Sequence, residues 1–409
     1  MAKEYKDLVV GLDIGTAKIM VVVAEVQANG ELKLAGLGVS ASHGLKRGVV
    51  VNIDATVQSI QQALKEAELM ADCRIARVYT GITGSHIRGI NSSGMVAIKD
   101  REVSATDVAR VIETAKAINI STDQRLLLVE PQEFVIDGQE VKEPIGMSGM
   151  RLEAKVHIVT GAQSAAENII KCVRRCGLEV DQLLLNPQSS SLAVLSEDER
   201  ELGVVCVDIG AGTTDVAIFA NGSIRHTAVI PIAGDLITSD IAMALRTPTK
   251  DAEDIKVESG CAKQLLADPE AQVEVPGLGD RAPRMLSKQA LAGVIEPRVE
   301  EIFSLVQQVI RESGYEEVLS SGIVLTGGSA VMPGMVELGE DIFLKPVRRG
   351  VPKYNGALSD MVSQPRVATV MGLMEEARLA RLRGFKVSQK KGSMNNAFTR
   401  FKDFIVGNF

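Results

Sequence analysis

Asp13 and Asp208 sit in two copies of one small pattern, 195 residues apart. The first reads Leu8-Val9-Val10-Gly11-Leu12-Asp13-Ile14-Gly15-Thr16-Ala17-Lys18. The second reads Val204-Val205-Cys206-Val207-Asp208-Ile209-Gly210-Ala211-Gly212-Thr213-Thr214-Asp215. In each, an Asp closes an apolar run and a turn of small residues follows, carrying glycine and a hydroxyl. Glycine lets backbone N–H groups crowd an anion, and an Asp at a strand end can hold Mg²⁺ or orient water. Any one such turn is also what an ordinary tight turn or strand cap looks like. Two of them, one in each half, predict two lobes closing on one polyphosphate. A third glycine turn, Gly327-Gly328-Ser329, follows the apolar run Gly322 to Leu325. There the backbone can lie flat against an adenine or a phosphate.

The elements that must position these residues follow from periodicity and punctuation. Each Asp motif runs into a second β-branched stretch (Ile19 to Val23, Val216 to Phe219), so each reads as a hairpin. Strands are expected at Leu32 to Ser40, Gly48 to Ile53 and Val78 to Ile82. A helix is expected from Ile53 to Ala71, capped by Asp54, with Val57, Ile60, Ala63, Leu64 and Ala67 on one face. From 84 to 162 the texture changes to an inserted α+β unit. It holds a polar strand at Gly89 to Ile98 and a Ser104-capped helix from Ala105 to Ala117. Strand pieces follow at Leu126 to Val129, Phe134 to Val141 and Arg151 to Val159.

Beyond the insertion, a helix (Ala165 to Cys176), a strand (Val180 to Leu185) and a small-residue helix from Pro187 to Leu195 precede the second Asp motif. Helices at Leu236 to Leu245, Thr249 to Cys261, Ser287 to Glu312 and 366–383 complete the reading, with 268–283 irregular. The domains are then lobe I at 1–83 and 163–202, completed by 366–383; the insertion at 84–162; and lobe II at 203–365. A linker at 384–393 and a terminal helix at 394–409 follow.

Composition bounds the function. With 24% charged and 45% hydrophobic residues the chain is globular rather than disordered. A net charge of −7 gives no nucleic-acid footprint, so none is expected as a partner. No run approaches the ~18 to 20 apolar residues that span a bilayer. The five cysteines are scattered, as in a reducing cytoplasm, and neither they nor the four histidines (His43, His86, His157, His226) cluster as metal ligands or catalysts.

The C-terminus carries a separate signal. Four of the nine phenylalanines fall in the last 12 residues. At about 100° per residue, Phe398, Phe401, Phe404, Ile405 and Phe409 share an arc, with Arg400 and Lys402 on the other side. From Arg378 onward there are eight basic residues against one acidic, a local +7 that leaves −14 on the rest. Such a segment suits reversible attachment to an anionic membrane surface.

The three glycine motifs, in this order, resemble the phosphate 1, phosphate 2 and adenosine signatures of the actin/Hsp70/sugar-kinase ATPase superfamily. The stretches Pro187 to Ala193 and Ala368 to Leu373 match its two connecting helices. Within it the chain is similar to the bacterial cell-division family FtsA. Ser196 to Gly203, Thr238-Ser239-Asp240-Ile241-Ala242, Gly260-Cys261-Ala262 and Val294-Ile295-Glu296-Pro297-Arg298 carry that likeness, as does the place of the insertion. The resemblance implies a two-lobed actin-like α/β fold of duplicated ribonuclease-H-like domains. It implies phosphate contacts from Gly15, Thr16 and Lys18 and from Gly210, Gly212, Thr213 and Thr214. Asp13 and Asp208 would hold Mg²⁺, Glu253 and Lys256 would reach ribose or adenine, and Gly327, Gly328 and Ser329 would line the adenine.

In relatives a Glu or Gln at the first connecting helix positions the attacking water. Here Asn186-Pro187-Gln188 stands there, which leaves Gln188 as the candidate beside Asp208 and implies slow or incidental ATP hydrolysis. The family's partners would be the C-terminal tail of FtsZ, met at Arg298 and Glu301, copies of the chain itself, and later division proteins of the inner membrane at the septum. A PilM-type pilus-assembly adaptor shares the fold, but the Phe-rich tail and Glu296-Pro297-Arg298 set it apart. A small-molecule kinase would need a second-substrate pocket with a catalytic carboxylate, and no candidate is visible. A chaperone would need a β-rich domain after residue 380.

Overall fold

The computed structural model describes residues 8–279 and 281–383. The expected linker at 384–393 and the helix carrying Phe398, Arg400, Phe401, Lys402, Phe404, Ile405 and Phe409 lie outside the described residues.

Lobe I is built on strands β1 (Leu8–Ile14), β2 (Lys18–Val26) and β3 (Leu32–Ala41), a two-residue hairpin β4 (Leu45–Lys46) and β5 (Val49–Val50), helix α1 (Ile53–Ala71) and β6 (Arg77–Ile82). The insertion contributes β7 (Arg88–Ala97), α2 (Ala105–Ala115), β8 (Gln124–Ile136), β9 (Gln139–Val141) and β10 (Arg151–Ala162). The chain returns to lobe I through α3 (Gln163–Arg175), β11 (Glu179–Leu185), α4 (Asn186–Val194) and α5 (Glu197–Leu202).

Lobe II holds β12 (Val204–Ile209), β13 (Thr214–Ala220), β14 (Ser223–Ile230), α6 (Gly234–Leu245) and α7 (Thr249–Ser259). It continues with β15 (Gln272–Val275), β16 (Arg284–Ser287), α8 (Lys288–Ser313), β17 (Ile323–Thr326), α9 (Met335–Phe343), β18 (Val347–Arg349) and α10 (Ser359–Val362). Helix α11 (Ala368–Leu382) crosses back to lobe I.

The two lobes repeat one topology. Lobe I orders its sheet β11-β6-β1-β2-β3, and lobe II orders its own β14-β13-β12-β17-β18. In both, a three-strand antiparallel meander carries a parallel strand beside its first member (β6 on β1, β17 on β12). Both faces of each sheet are covered, so β1, β2, β12 and β13 are apolar almost throughout instead of alternating. The lobe I sheet buries one face under α1 and α3 and the other under α11. Lobe II packs around Phe303 of α8 and Ile237 of α6.

Helices α4 and α11 cross where the lobes meet. A Cβ on Gly372 would stand 1.7 Å from the Ser189 carbonyl, so only glycine permits this approach. The insertion forms its own sheet, β7-β10-β8-β9, with α2 on one face over a separate core of Val108, Val111, Ile112, Leu152, Val156 and Ile158.

The insertion also docks on lobe II. His157, buried on β10, contacts Asn91 Oδ1 at 2.6 Å and Thr227 Oγ1 of β14 at 2.9 Å. Burial pushes its imidazole down to about 3, so it is neutral at physiological pH. Gln132 donates to the Ile224 carbonyl at 2.9 Å, and Arg225 reaches Glu133 at 3.4 Å.

Several local expectations change. Asn52, not Asp54, caps α1 by accepting from Ala55 N–H; Asp54 lies inside the first turn and pairs with Arg175 at 2.5 Å. Gly48 to Ile53 yields only the short β5. The piece at 126–129 and the first part of 134–141 merge into β8, with a bulge at Gln132 beside Pro131. Asp137 and Gly138, both at positive φ, then turn the chain into β9. Part of the irregular 268–283 stretch pairs as β15 with β16.

Candidate functional site

The two hairpin tips face each other across a cleft of about 780 Å³. Each is closed by the same backbone bond, Gly15 N–H to Lys18 O at 3.0 Å and Gly210 N–H to Thr213 O at 2.9 Å. Lobe I lines the cleft with Asp13, Gly15, Thr16 and Lys18. Lobe II lines it with Asp208, Gly210, Gly212, Thr213, Glu253, Lys256, Gly327, Gly328 and Ser329. Among the expected contacts, Thr214 and Gln188 are absent from this lining. Thr214 is fully buried at the start of β13 and donates its hydroxyl to Ile232 O at 2.7 Å. Gln188 stands two residues into α4, about 200° around the helix from Asn186. Asn186 faces the cleft instead. Its buried Oδ1 has no hydrogen-bond partner and presses on Gly81, where a Cβ would lie only 2.0 Å away.

Three buried carboxylates converge here, one more than the pair of Asp motifs suggested. Burial pushes Asp13 up to about 6, against the pull of Lys18. Asp208 is likewise raised by burial, opposed by hydrogen bonds from Ser190 and Thr369. Asp215 is raised furthest, by burial and by the charge of Asp208, although Thr83 donates to it at 2.6 Å. Thr83 belongs to lobe I and Asp215 to lobe II, so this bond fastens the lobes across the cleft. Lys18 donates to the Arg366 carbonyl, and burial lowers its ammonium to about 8.

Asp13 and Asp208 feel the charge of Lys18, while Lys256 is tied to Glu253, so the three buried acids are short of positive charge, which suits a cation arriving with its ligand. Among the described residues no group of three or more His, Cys, Asp or Glu is arranged to hold a metal ion unaided. A metal here would therefore draw its ligands from phosphate and water as well, as Mg²⁺ does.

The opposite wall is a glycine turn with little side-chain bulk. Gly327 has φ +88° and a Cβ there would meet Asp208 Oδ1 at 2.3 Å. At Gly328 a Cβ would meet nothing within 4 Å, so the missing side chain leaves open cleft. Ser329 donates to Gly210 O at 3.0 Å and ties this turn to the second tip. Lys256 spends its three donors on Glu253 (2.6 Å), Thr238 (2.8 Å) and Gly234 O (3.2 Å). The pair is thereby held rigid at the rim.

Asp215 lay in the quoted motif, but its inward direction becomes plain only from the register that pairs it with Asp208. Thr83, Ser190 and Thr369 gave no signal in sequence, because their neighbours in space are 132, 18 and 161 residues away.

Away from the cleft, two of the short phrases meet. Arg298 of α8 grips Asp240 of α6 with both arms, Nε to Oδ2 at 2.5 Å and Nη2 to Oδ1 at 3.0 Å, and also pairs with Glu301. The Arg298–Glu301 pair therefore stands on lobe II as part of a triad.

Residues 205–372 fit the family model for "Cell division protein FtsA", and 84–160 fit "SHS2 domain inserted in FTSA". The chain is 54% identical over 409 residues to the cell division protein FtsA of Pseudomonas aeruginosa, covering 98% of each. To that of Escherichia coli K12 it is 45% identical over 394 residues, covering 94% of each. Among solved structures it resembles a PilM-PilN type IV pilus biogenesis complex, with a TM-score of 0.65 and 18% identity, covering 90% of this chain and 98% of the other. It also resembles MreB5 of Spiroplasma citri bound to ADP, with a TM-score of 0.57 and 15% identity, covering 94% and 100%. At such identities these two show the actin-like fold alone.

Proposed function

The chain belongs to the FtsA family of cell-division proteins, and from that premise we propose that it binds ATP with Mg²⁺ in the interlobe cleft and tethers the FtsZ ring to the inner membrane at the septum. The observation that carries the nucleotide part is the pair of facing tips with surplus buried carboxylate between them. Gly15, Thr16, Gly210, Gly212 and Thr213 offer backbone or hydroxyl donors to phosphate, and Lys18 offers charge. Asp13 and Asp208 would hold the metal, largely through water. Gly327, Gly328 and Ser329 admit the base, beside the fixed Glu253–Lys256 pair.

Nucleotide bridges both tips, so its binding favours the closed lobes already joined through Thr83 and Asp215. Closure would in turn bias self-association. Asn186 at the mouth of α4 can orient water but offers no carboxylate base, which fits slow or incidental hydrolysis with ATP acting as a conformational signal. The Arg298–Asp240–Glu301 triad is the lobe II surface assigned to the FtsZ tail, and the insertion is the surface for neighbouring subunits and later division proteins. The Phe-rich end of the chain would supply the membrane hold.

Co-sedimentation with anionic liposomes, ATP present, tests the tether. The full chain is expected in the pellet and the chain cut after Gly384 in the supernatant. Equal sedimentation would refute it. For the cleft, Asp208→Ala is expected to lower Mg·ATP affinity by at least 10-fold (about 1.4 kcal/mol), read by calorimetry.

A further inference from the structure

Helix α3 presents a basic surface that none of the roles above uses. Its buried side is Ala165, Ala166, Ile169, Cys172 and Val173, which leaves Lys171, Arg174 and Arg175 facing outward. Arg125, at the start of β8, joins them to line one surface hollow with Glu167 and Ile170. Arg175 is paired with Asp54, and Glu167 is occupied by Gln163 at 2.7 Å. Arg125, Lys171 and Arg174 make no ion pair among the described residues. On a chain of net charge −7 three unneutralised cations around one hollow are an electrostatic exception.

Their place relative to the end of the described chain gives the surface a partner. Glu130, also on β8, lies within the fields of Glu376 and Arg383, and burial beside Glu376 lifts it to about 7. Arg125 is five residues away on the same strand, roughly 17 Å. A register shift between Val159 and Thr160 pairs Arg125 with Gly161 and Glu130 with His157, so the two share one face of the sheet despite their odd spacing. Glu130, which feels the charge of Arg383 where the described chain ends, thus lies on the same face of the insertion's sheet as Arg125 of the basic hollow. A ten-residue linker reaches at most about 33 to 36 Å. A terminal helix seated in a bilayer would thus leave this hollow within reach of the same headgroups.

We propose that the Arg125–Lys171–Arg174 surface is a second membrane contact, which takes anionic lipid headgroups once the C-terminal helix has inserted and so orients the lobes on the bilayer. This rests on the tether reading above. The exposed Lys171 and Arg174, beside the half-buried Arg125, would each contribute several-fold to the partition constant near an anionic leaflet, and salt screens that contribution.

The test is vesicle co-sedimentation of the full chain with phosphatidylcholine vesicles, with and without phosphatidylglycerol. The double variant Lys171→Gln/Arg174→Gln is expected to bind the anionic vesicles about 10-fold more weakly than the parent, with the gap closing at high salt. On neutral vesicles the two should match, and the charge-preserving Lys171→Arg/Arg174→Lys pair should restore the parental value. Parental binding by the double variant on anionic vesicles would overturn the proposal and leave the surface to an acidic protein. Equal weakening on neutral vesicles would also overturn it, because the change would then act through the fold. The chain cut after Gly384 separates the two ideas: its undiminished binding would sink the tether reading, whatever the double variant does.

Discussion

Replacing Asp13 with Asn is expected to stabilise the nucleotide-free protein while weakening its hold on Mg·ATP. Asp13 is only 7% exposed, and burial carries its carboxyl from 3.8 to about 6. The sign follows from proton counting. Below pH 3.8 the side chain is neutral in both folded and unfolded chains and costs nothing. Between 3.8 and 6 the unfolded chain ionises first, so stability falls as pH rises. Above 6 the loss is constant. Two units at about 1.4 kcal/mol each set it near 3 kcal/mol. The pull of Lys18 is already contained in that value, so the gain from Asn is up to about 3 kcal/mol at pH 7.

Thermal melting without nucleotide should therefore shift upward by a few degrees at pH 7 and hardly at all near pH 4. Calorimetry should show the opposite for binding. The parent should lose Mg·ATP affinity as pH drops below about 6, because Asp13 must then give up a proton, whereas the variant starts weaker and loses this part of the pH dependence. A melting point that falls or stays fixed, together with unchanged affinity, would refute the assignment of Asp13 as a buried charge awaiting a cation.

Two further outcomes test the packing around the cleft. Gly328→Val should leave the stability of the nucleotide-free protein within about 0.5 kcal/mol of the parent, since φ there is −63° and a Cβ meets only open space, yet it should depress nucleotide affinity at least 10-fold (about 1.4 kcal/mol). Gly372→Ala should cost about 3 kcal/mol or more, because its Cβ would enter the Ser189 carbonyl where α4 and α11 cross; a folded variant with parental stability in chemical denaturation would contradict the model of that crossing.

The lobes were legible because their strands are covered on both faces and so read as apolar runs punctuated by glycine. Ser104 announced α2 through a capping box with Asp107, a purely local device. Asn52 and Asp54 show where local rules run out. Both are good caps two residues apart, and Asp54 is drawn off by Arg175, a partner distant in sequence. Helix α9 and strand β18 are short and depend on the core around Phe303 and Phe343, which no local window contains. In the site, the glycine turns and their two acids could be read, since backbone crowding needs a local composition. Gln188 and Asn186 compete for one water-facing position, and only the phase of α4 decides between them.

The seat of the insertion on β14 has a mechanical consequence. The insertion leaves lobe I through the segment after β6 and returns through β10 into α3, yet its polar contacts at His157 and Gln132 grip lobe II. Besides the Thr83–Asp215 bond across the cleft, the lobes are thus joined at two places, this one and the α4–α11 crossing. With the Thr83–Asp215 bond released, a body held at the two remaining places has lost the freedom to gape like a jaw and keeps rotation about the line between them. Nucleotide exchange in this chain should therefore proceed by a propeller-like twist, in which the insertion swings with the second lobe.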